Sequence, residues 1–179
     1  TGASVLASDI SESSLKVLKN RLSFKNLKVK EADIESLPFA DNNFDFVVCA
    51  GGLSYGNAKV VDAEILRVLK DGGGVIFVDS LNHNPIYRLN RWLHYRRNQR
   101  SKSTLVNMPT ISRIKQMGTH FGIYNVQFFG LFSWLMKPLA RLVGQNCAAS
   151  ISNFLDRLFR VKSYAFKFVM VAKNLKLKK

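Results

Sequence analysis

An α/β fold built on a parallel sheet is what residues 1–80 predict, on three observations. Short runs rich in Val, Ile and Phe alternate with helical patterns, an acidic residue or glycine follows each run, and a glycine cluster closes the second helical pattern. In order, Ala3–Ser8 (ASVLAS) is a small, apolar strand ending at Asp9. Ser11 and Glu12 then precede Leu15, Leu18 and Leu22, whose spacing predicts a capped amphipathic helix over 13–22. Leu27–Glu31 (LKVKE) alternates like a strand and leads into Ala32-Asp33-Ile34. Phe44–Ala50 (FDFVVCA) predicts a buried strand that ends on Gly51-Gly52. Lys59–Leu69 carries Val60, Val61, Ile65, Leu66 and Leu69 at helical spacing and is expected to stop at Asp71-Gly72-Gly73-Gly74. Val75–Val78 (VIFV) is the next strand, followed by Asp79-Ser80. In such sheets ligands bind over the carboxyl ends of the strands. Asp9, Asp33, Gly51 and Asp79 all stand there, although a carboxylate at a strand end also serves as an ordinary helix cap.

The second half reads differently. Pro85–Arg97 predicts a helix opened by proline, with Ile86, Leu89 and Leu93 on one side and Arg88, Arg91, Arg96 and Arg97 around the rest. Asn98–Met108 is expected to be a loop, Ile111–Phe121 a helix and Tyr124–Phe128 a strand. Phe129–Val143 is strongly apolar and interrupted by Pro138; Ile151–Phe159 is another helix, and Tyr164–Ala172 the last strand.

At 179 residues and 47% hydrophobic, the chain is expected to form a single domain with one sizeable core, which excludes a disordered tail or a disulfide scaffold. Two cysteines, Cys49 and Cys147, suggest a reducing, cytoplasmic compartment. No apolar run approaches the roughly 18–20 residues that span a bilayer, and the chain opens on Thr1 without a charged-then-apolar leader. Charge is divided: residues 1–80 hold 9 Lys/Arg against 11 Asp/Glu, whereas 81–179 hold 18 Lys/Arg against Asp156 alone, a net of +17. The basic half points to an anionic partner: nucleic acid, a membrane surface or a phosphorylated small molecule. A merely solvated surface explains many of these residues equally well.

The series Val5-Leu6-Ala7-Ser8-Asp9-Ile10-Ser11, Ala32-Asp33-Ile34 with Leu37-Pro38-Phe39, Phe44-Asp45-Phe46-Val47-Val48 and Arg67-Val68-Leu69-Lys70-Asp71-Gly72-Gly73 resembles a class I S-adenosylmethionine-dependent methyltransferase. The resemblance covers residues 3–80 closely and the last two strands loosely. It implies a Rossmann-like sheet of parallel strands with a C-terminal antiparallel strand. It divides the domain into a cofactor half (1–80) and a basic acceptor half (81–179) with an insertion at about 129–163. It also implies S-adenosyl-L-methionine as cofactor. Asp9 would accept the ribose hydroxyls, Ile10 would pack on the adenine, Asp33 and Ile34 would hold its amino edge and other face, and Ala50 and Gly51 would lie by the methionine portion. The family's opening strand, glycine-rich loop and helix have no counterpart here, because Gly2 precedes Asp9 by only seven positions. The fold is therefore expected to be N-terminally incomplete, with a gap where a central strand belongs and with the loop lying upstream in a longer protein.

Methyl transfer is an in-line displacement that demands alignment, and a base only if the nucleophile is a hydroxyl. His83, in Asn82-His83-Asn84, is the candidate base, since imidazole titrates near neutrality; a structural role is the competing reading. Tyr55 would line the transfer pocket. Arg88 and Arg91, with Arg96, Arg97 and Arg100, would clamp a phosphate or pyrophosphate on the acceptor through their forked donors. His94 and His120 fall on helices, and no His/Cys spacing suits a metal. Phe129, Leu131, Phe132, Trp134, Leu135 and Met136 beside Lys137 and Arg141 have the makeup of an interfacial helix, hence a peripheral membrane contact; a lid packed on the sheet is the alternative. The expected function is O-methylation of a small-molecule, glycan-like or lipid-linked acceptor. RNA methylation, prompted by the +17 half, and a non-catalytic binding remnant are the alternatives.

Overall fold

The computed structural model describes residues 2–22, 25–97, 103–158 and 164–176. Arg100 lies outside these, as do the side chains of Trp134, Leu135 and Lys137. Strands and helices alternate as expected through the first half: β1 (Val5–Asp9), α1 (Glu12–Arg21), β2 (Leu27–Glu31), β3 (Phe44–Ala50), α2 (Ala58–Val68) and β4 (Leu69–Ser80). There follow α3 (Pro85–Arg96), α4 (Ser103–Val106), α5 (Ile111–Thr119), β5 (Phe121–Phe129), α6 (Ser133–Val143), α7 (Gln145–Leu158) and β6 (Lys167–Leu175). Side-chain caps open α1, as the sequence suggests, and also α2 and α3: Ser11 Oγ accepts from Ser14 N, Asn57 Oδ1 from Lys59 N and Asn84 Oδ1 from Tyr87 N.

The strands form two separate sheets. β1 and β2 pair in parallel, and a second sheet runs β3-β4-β6-β5, with β3 and β4 parallel and β6 antiparallel to both its neighbours. The expected gap is present between β1 and β3. Large apolar side chains stand exposed on both of these strands: Val5 on β1, Phe46 and Val48 on β3. The core belongs to the second sheet. Val61 and Ile65 of α2, Val75 and Phe77 of β4, Ile114 and Met117 of α5, and Phe168 and Met170 of β6 are buried together. Each contributes on the order of 1.5–3 kcal/mol by leaving water. Among the described residues of the first module only Leu15 of α1 is buried.

Three expectations need correction. The segment Lys70–Gly74 does not stop at a turn but already belongs to β4, which pairs with β3 through a bulge: Phe44 faces Leu69 whereas Phe46 faces Gly74. Glycine is required at 74, because a Cβ there would approach Ala172 O and Phe46 Cε1 to 2.6 Å. The stretch expected to be a loop contains the short helix α4. Third, α3 is turned opposite to its apolar pattern. Its one buried residue is Arg91, while Ile86, Leu89, Trp92 and Leu93 face solvent. The insertion is an α6–α7 hairpin between β5 and β6.

Candidate functional site

A cavity of about 970 Å³ lies between the two sheets, over the gap and at the carboxyl ends of β1, β2 and β3. Asp9, Ile10, Asp33, Ile34, Ala50, Gly51 and Tyr55, seven of the sequence-predicted site residues, all line it. They come together because β1 and β2 are in register, so that Asp9 pairs with Glu31 and the chain leaves both strands at one level. The backbone then crosses back: Ala32 N donates to Asp9 O at 3.1 Å.

Each carboxylate is held by its own turn. Asp9 Oδ1 accepts from Ser11 N at 2.8 Å and Asp33 Oδ1 from Glu35 N at 2.9 Å, both in the short Asx arrangement that fixes a side chain at the end of a strand. No hydrogen bond among the described residues engages the second oxygen of either, so each carboxylate retains an acceptor for a diol or an amino group. Gly51 has φ of +76°, the left-handed region that favours glycine, and a Cβ there would meet nothing within 4 Å. Its missing side chain therefore opens directly into free space, while its N–H is tied to Val78 O at 2.8 Å. An acceptor-only pair, an exposed apolar side chain at Ile10 and a bare backbone at Gly51 fit an adenosyl group with an amino-acid tail.

The wall after β3 is built from long-range contacts. Asp79, buried at the end of β4, accepts Leu53 N with Oδ2 at 3.0 Å and Ser80 N with Oδ1 at 2.6 Å, which pins the Gly51–Tyr55 loop to the sheet. Burial pushes the Asp79 carboxyl above its ordinary range, against the pull of those two amides. Arg113 of α5 adds a second tie, pairing with Asp62 at 2.7 Å and donating to Leu53 O at 3.0 Å. On the other side Arg67 gathers the 37–41 loop: it donates to Leu37 O, Phe39 O and Asp41 while pairing with Glu64. Glu64 also accepts Leu37 N at 2.7 Å, and the guanidinium holds its carboxyl below the usual value. The Cys49 thiol, buried beneath the cavity, is pushed up to about 11.

The remaining predicted residues do not line the cavity. His83 is exposed, and its Nε2 accepts Ile111 N at 3.3 Å, at the start of α5; the lone pair a base would use is engaged there. Arg91 is buried rather than poised for phosphate: its Nε donates to Tyr87 Oη and its Nη1 to Thr104 O, both at 2.8 Å. Arg88 is exposed on α3. His94 and His120 sit on α3 and at the C-cap of α5, and among the described residues no group of His, Cys, Asp or Glu could hold a metal. Sequence reasoning placed Asp79 at a strand end without seeing its anchoring role; its acidic position after VIFV was the signal.

Comparison with known proteins bears on the family and the fold. Residues 1–77 match the family described as a methyltransferase domain. The ubiquinone/menaquinone biosynthesis C-methyltransferase of Ectopseudomonas mendocina is 45% identical over 93 residues, covering 48% of this chain and 36% of that protein. The Shewanella pealeana protein of the same name is 40% identical over 84 residues, covering 44% of this chain and 33% of the relative. The chain thus spans about a third of the length of these curated relatives. Among solved structures, phosphoethanolamine N-methyltransferase 2 of Haemonchus contortus, determined with S-adenosyl-L-methionine, superposes with a TM-score of 0.66 at 15% identity, covering 97% of this chain and 44% of that one. YcgJ of Bacillus subtilis does so with a TM-score of 0.52 at 16% identity, covering 97% and 82%. Residues 1–77 thus match the methyltransferase-domain family model, and the α/β fold of the described residues is one shared with these solved structures.

Proposed function

We propose that this chain is the adenosyl-holding and acceptor-side portion of an enzyme that moves a methyl group from S-adenosyl-L-methionine to a small-molecule acceptor. The observation that carries the reading is the meeting of Asp9, Ile10, Asp33, Ile34, Ala50 and Gly51 in one cavity at the carboxyl ends of three strands, the place where such sheets bind their ligands. When bound, the cofactor supplies an electrophilic methyl on sulfonium. The chain's part is to fix the adenosine through Asp9 and Asp33, to leave room beside Gly51, and to bound the acceptor with Tyr55. Oxygen of a glycan-like or lipid-linked acceptor is the reading from the arginines. The relatives' names support methylation of carbon, in the making of quinones, instead, and the burial of Arg91 removes one arm of the phosphate clamp, so the carbon acceptor is favoured.

Calorimetry with S-adenosylmethionine tests this, both on the 179-residue chain and on a longer form that supplies a strand for the gap. Binding by the longer form at least, weakened about 10- to 100-fold by Asp9→Ala, is expected, the loss of a hydrogen bond to a charged group. Absence of binding in both forms overturns the reading and leaves a non-catalytic scaffold.

A further inference from the structure

Helix α3 inverts the usual arrangement of a surface helix. It tucks Arg91 inward, where Tyr87 and Thr104 absorb the guanidinium, and presents Ile86, Leu89, Trp92 and Leu93 to solvent, Leu89 at 58% exposure. Exposed cations border this stripe: Arg88, Arg96 and Arg97, with the Arg96 guanidinium 5.4 Å from the Trp92 ring centre. A contiguous exposed apolar stripe on one helix marks a surface meant to be covered.

A second apolar surface emerges from the same end of the sheet. β4 ends where β6 begins, Ser80 pairing with Lys167, and β5 ends opposite the same residue, Phe129 pairing with Lys167. Hence the segments that lead to α3 and to the α6–α7 hairpin leave the sheet at the same end. Asn84 Nδ2 donates to Tyr164 O at 2.7 Å, and the Tyr87 and Phe166 rings meet edge to face at 4.2 Å. The hairpin exposes Leu142 (83%), Phe154 and Leu158, with Arg141 exposed beside them. Its single acid, Asp156, is spent internally, accepting Gly130 N at 2.6 Å and Leu131 N at 3.0 Å. What this end offers outward is therefore apolar and cationic.

We infer that α3, together with the α6–α7 hairpin, docks this protein on the surface of an anionic lipid bilayer, the apolar stripe entering the acyl boundary and the arginines meeting headgroup phosphates. Charge selects this occupant. A second copy would bring two halves of net +17 together, and a nucleic acid would meet the arginines but leave Ile86, Leu89 and Leu93 uncovered. Apolar anchors with arginines at their border are what an interfacial helix requires. No helix among the described residues is long and apolar enough to cross a membrane, so the contact is one of lying on the surface. The inference is independent of the cofactor reading, since α3 contributes nothing to the cavity wall.

Sedimentation of the full chain with large unilamellar vesicles tests it, comparing phosphatidylcholine alone with phosphatidylcholine containing phosphatidylglycerol. Capture by the anionic vesicles only is expected, weakened at least tenfold by the pair Leu89→Asn and Leu93→Asn, with the far-ultraviolet spectrum unchanged. Should that pair disturb folding, Arg96→Glu with Arg97→Glu keeps the apolar stripe and is expected to weaken capture as much. Absence of capture by anionic vesicles, equal capture by both compositions, or capture indifferent to both pairs of substitutions overturns the inference. So does a concentration-dependent dimer that the Leu89 and Leu93 substitutions abolish, which assigns the stripe to a second copy.

Discussion

Asp79 Oδ2 accepts the amide proton of Leu53 at 3.0 Å, so the end of β4 holds the loop that follows β3. The buried carboxylate faces two N–H groups and has its pKa raised by desolvation, which sets a pH dependence with a definite sign. A group whose folded pKa exceeds its unfolded value binds more protons in the native state, so its contribution to stability falls as pH rises from the ordinary aspartate value of about 3.9 through the raised folded value. Asp79→Asn keeps one acceptor but turns an NH₂ toward an amide. We expect a cost of about 1–3 kcal/mol near neutrality. Thermal melts of both proteins between pH 4 and 7 should show their difference widening as the pH falls, because only the wild type regains the contribution of the protonated carboxyl.

Arg91 and Arg88 lie three positions apart on α3 and should behave oppositely. Arg91→Ala removes the guanidinium hydrogen bonds to Thr104 O and Tyr87 Oη inside the protein, an expected loss of about 2–3 kcal/mol. Arg88→Ala alters an exposed side chain and should stay within about 0.5 kcal/mol. Urea unfolding of the two variants separates them, and equal effects would contradict the inward orientation of Arg91.

His83 accepts Ile111 N, the first amide of α5 after its N-cap Thr110, so His83→Ala should cost about 0.5–1.5 kcal/mol, the worth of one hydrogen bond. If that bond is all it supplies, turnover of the complete enzyme falls less than tenfold and its pH profile keeps its shape. A general base would instead show a loss of about 10²–10⁴.

The two cysteines should react unequally. Cys49 is buried with its thiol pushed up to about 11, and Cys147 is exposed. At pH 8 a thiol reagent should label Cys147 within minutes and reach Cys49 only after denaturation.

Much of this was legible from residue order alone, and the failures have physical reasons. The bounds of β2 and β3 follow from alternation and from β-branched content, which a pleated strand rewards locally. The start of β4 was hidden because Asp71-Gly72-Gly73-Gly74 favours a turn, and only the pairing with β3 across a bulge draws it into the strand. Periodicity told that Ile86, Leu89 and Leu93 share one side of α3; it could not tell which side faces inward, since that depends on Thr104 and Tyr87 receiving Arg91. In the site, Asp9, Asp33 and Gly51 were legible because each ends a strand. The ties of Arg113 to Asp62 and of Asp79 to Leu53 join residues far apart in sequence, and no local pattern encodes them.

The division of the sheet also bears on how the molecule opens. β1, α1 and β2 share their hydrogen bonds chiefly with one another, and Lys30, donating to Pro38 O at 3.1 Å, is among the few side chains that tie them onward. Such a unit unravels without disturbing its neighbour, so amide deuteration should run ahead in Val5–Asp9 and Leu27–Glu31 while β4 and β6 hold their protons until the whole chain melts.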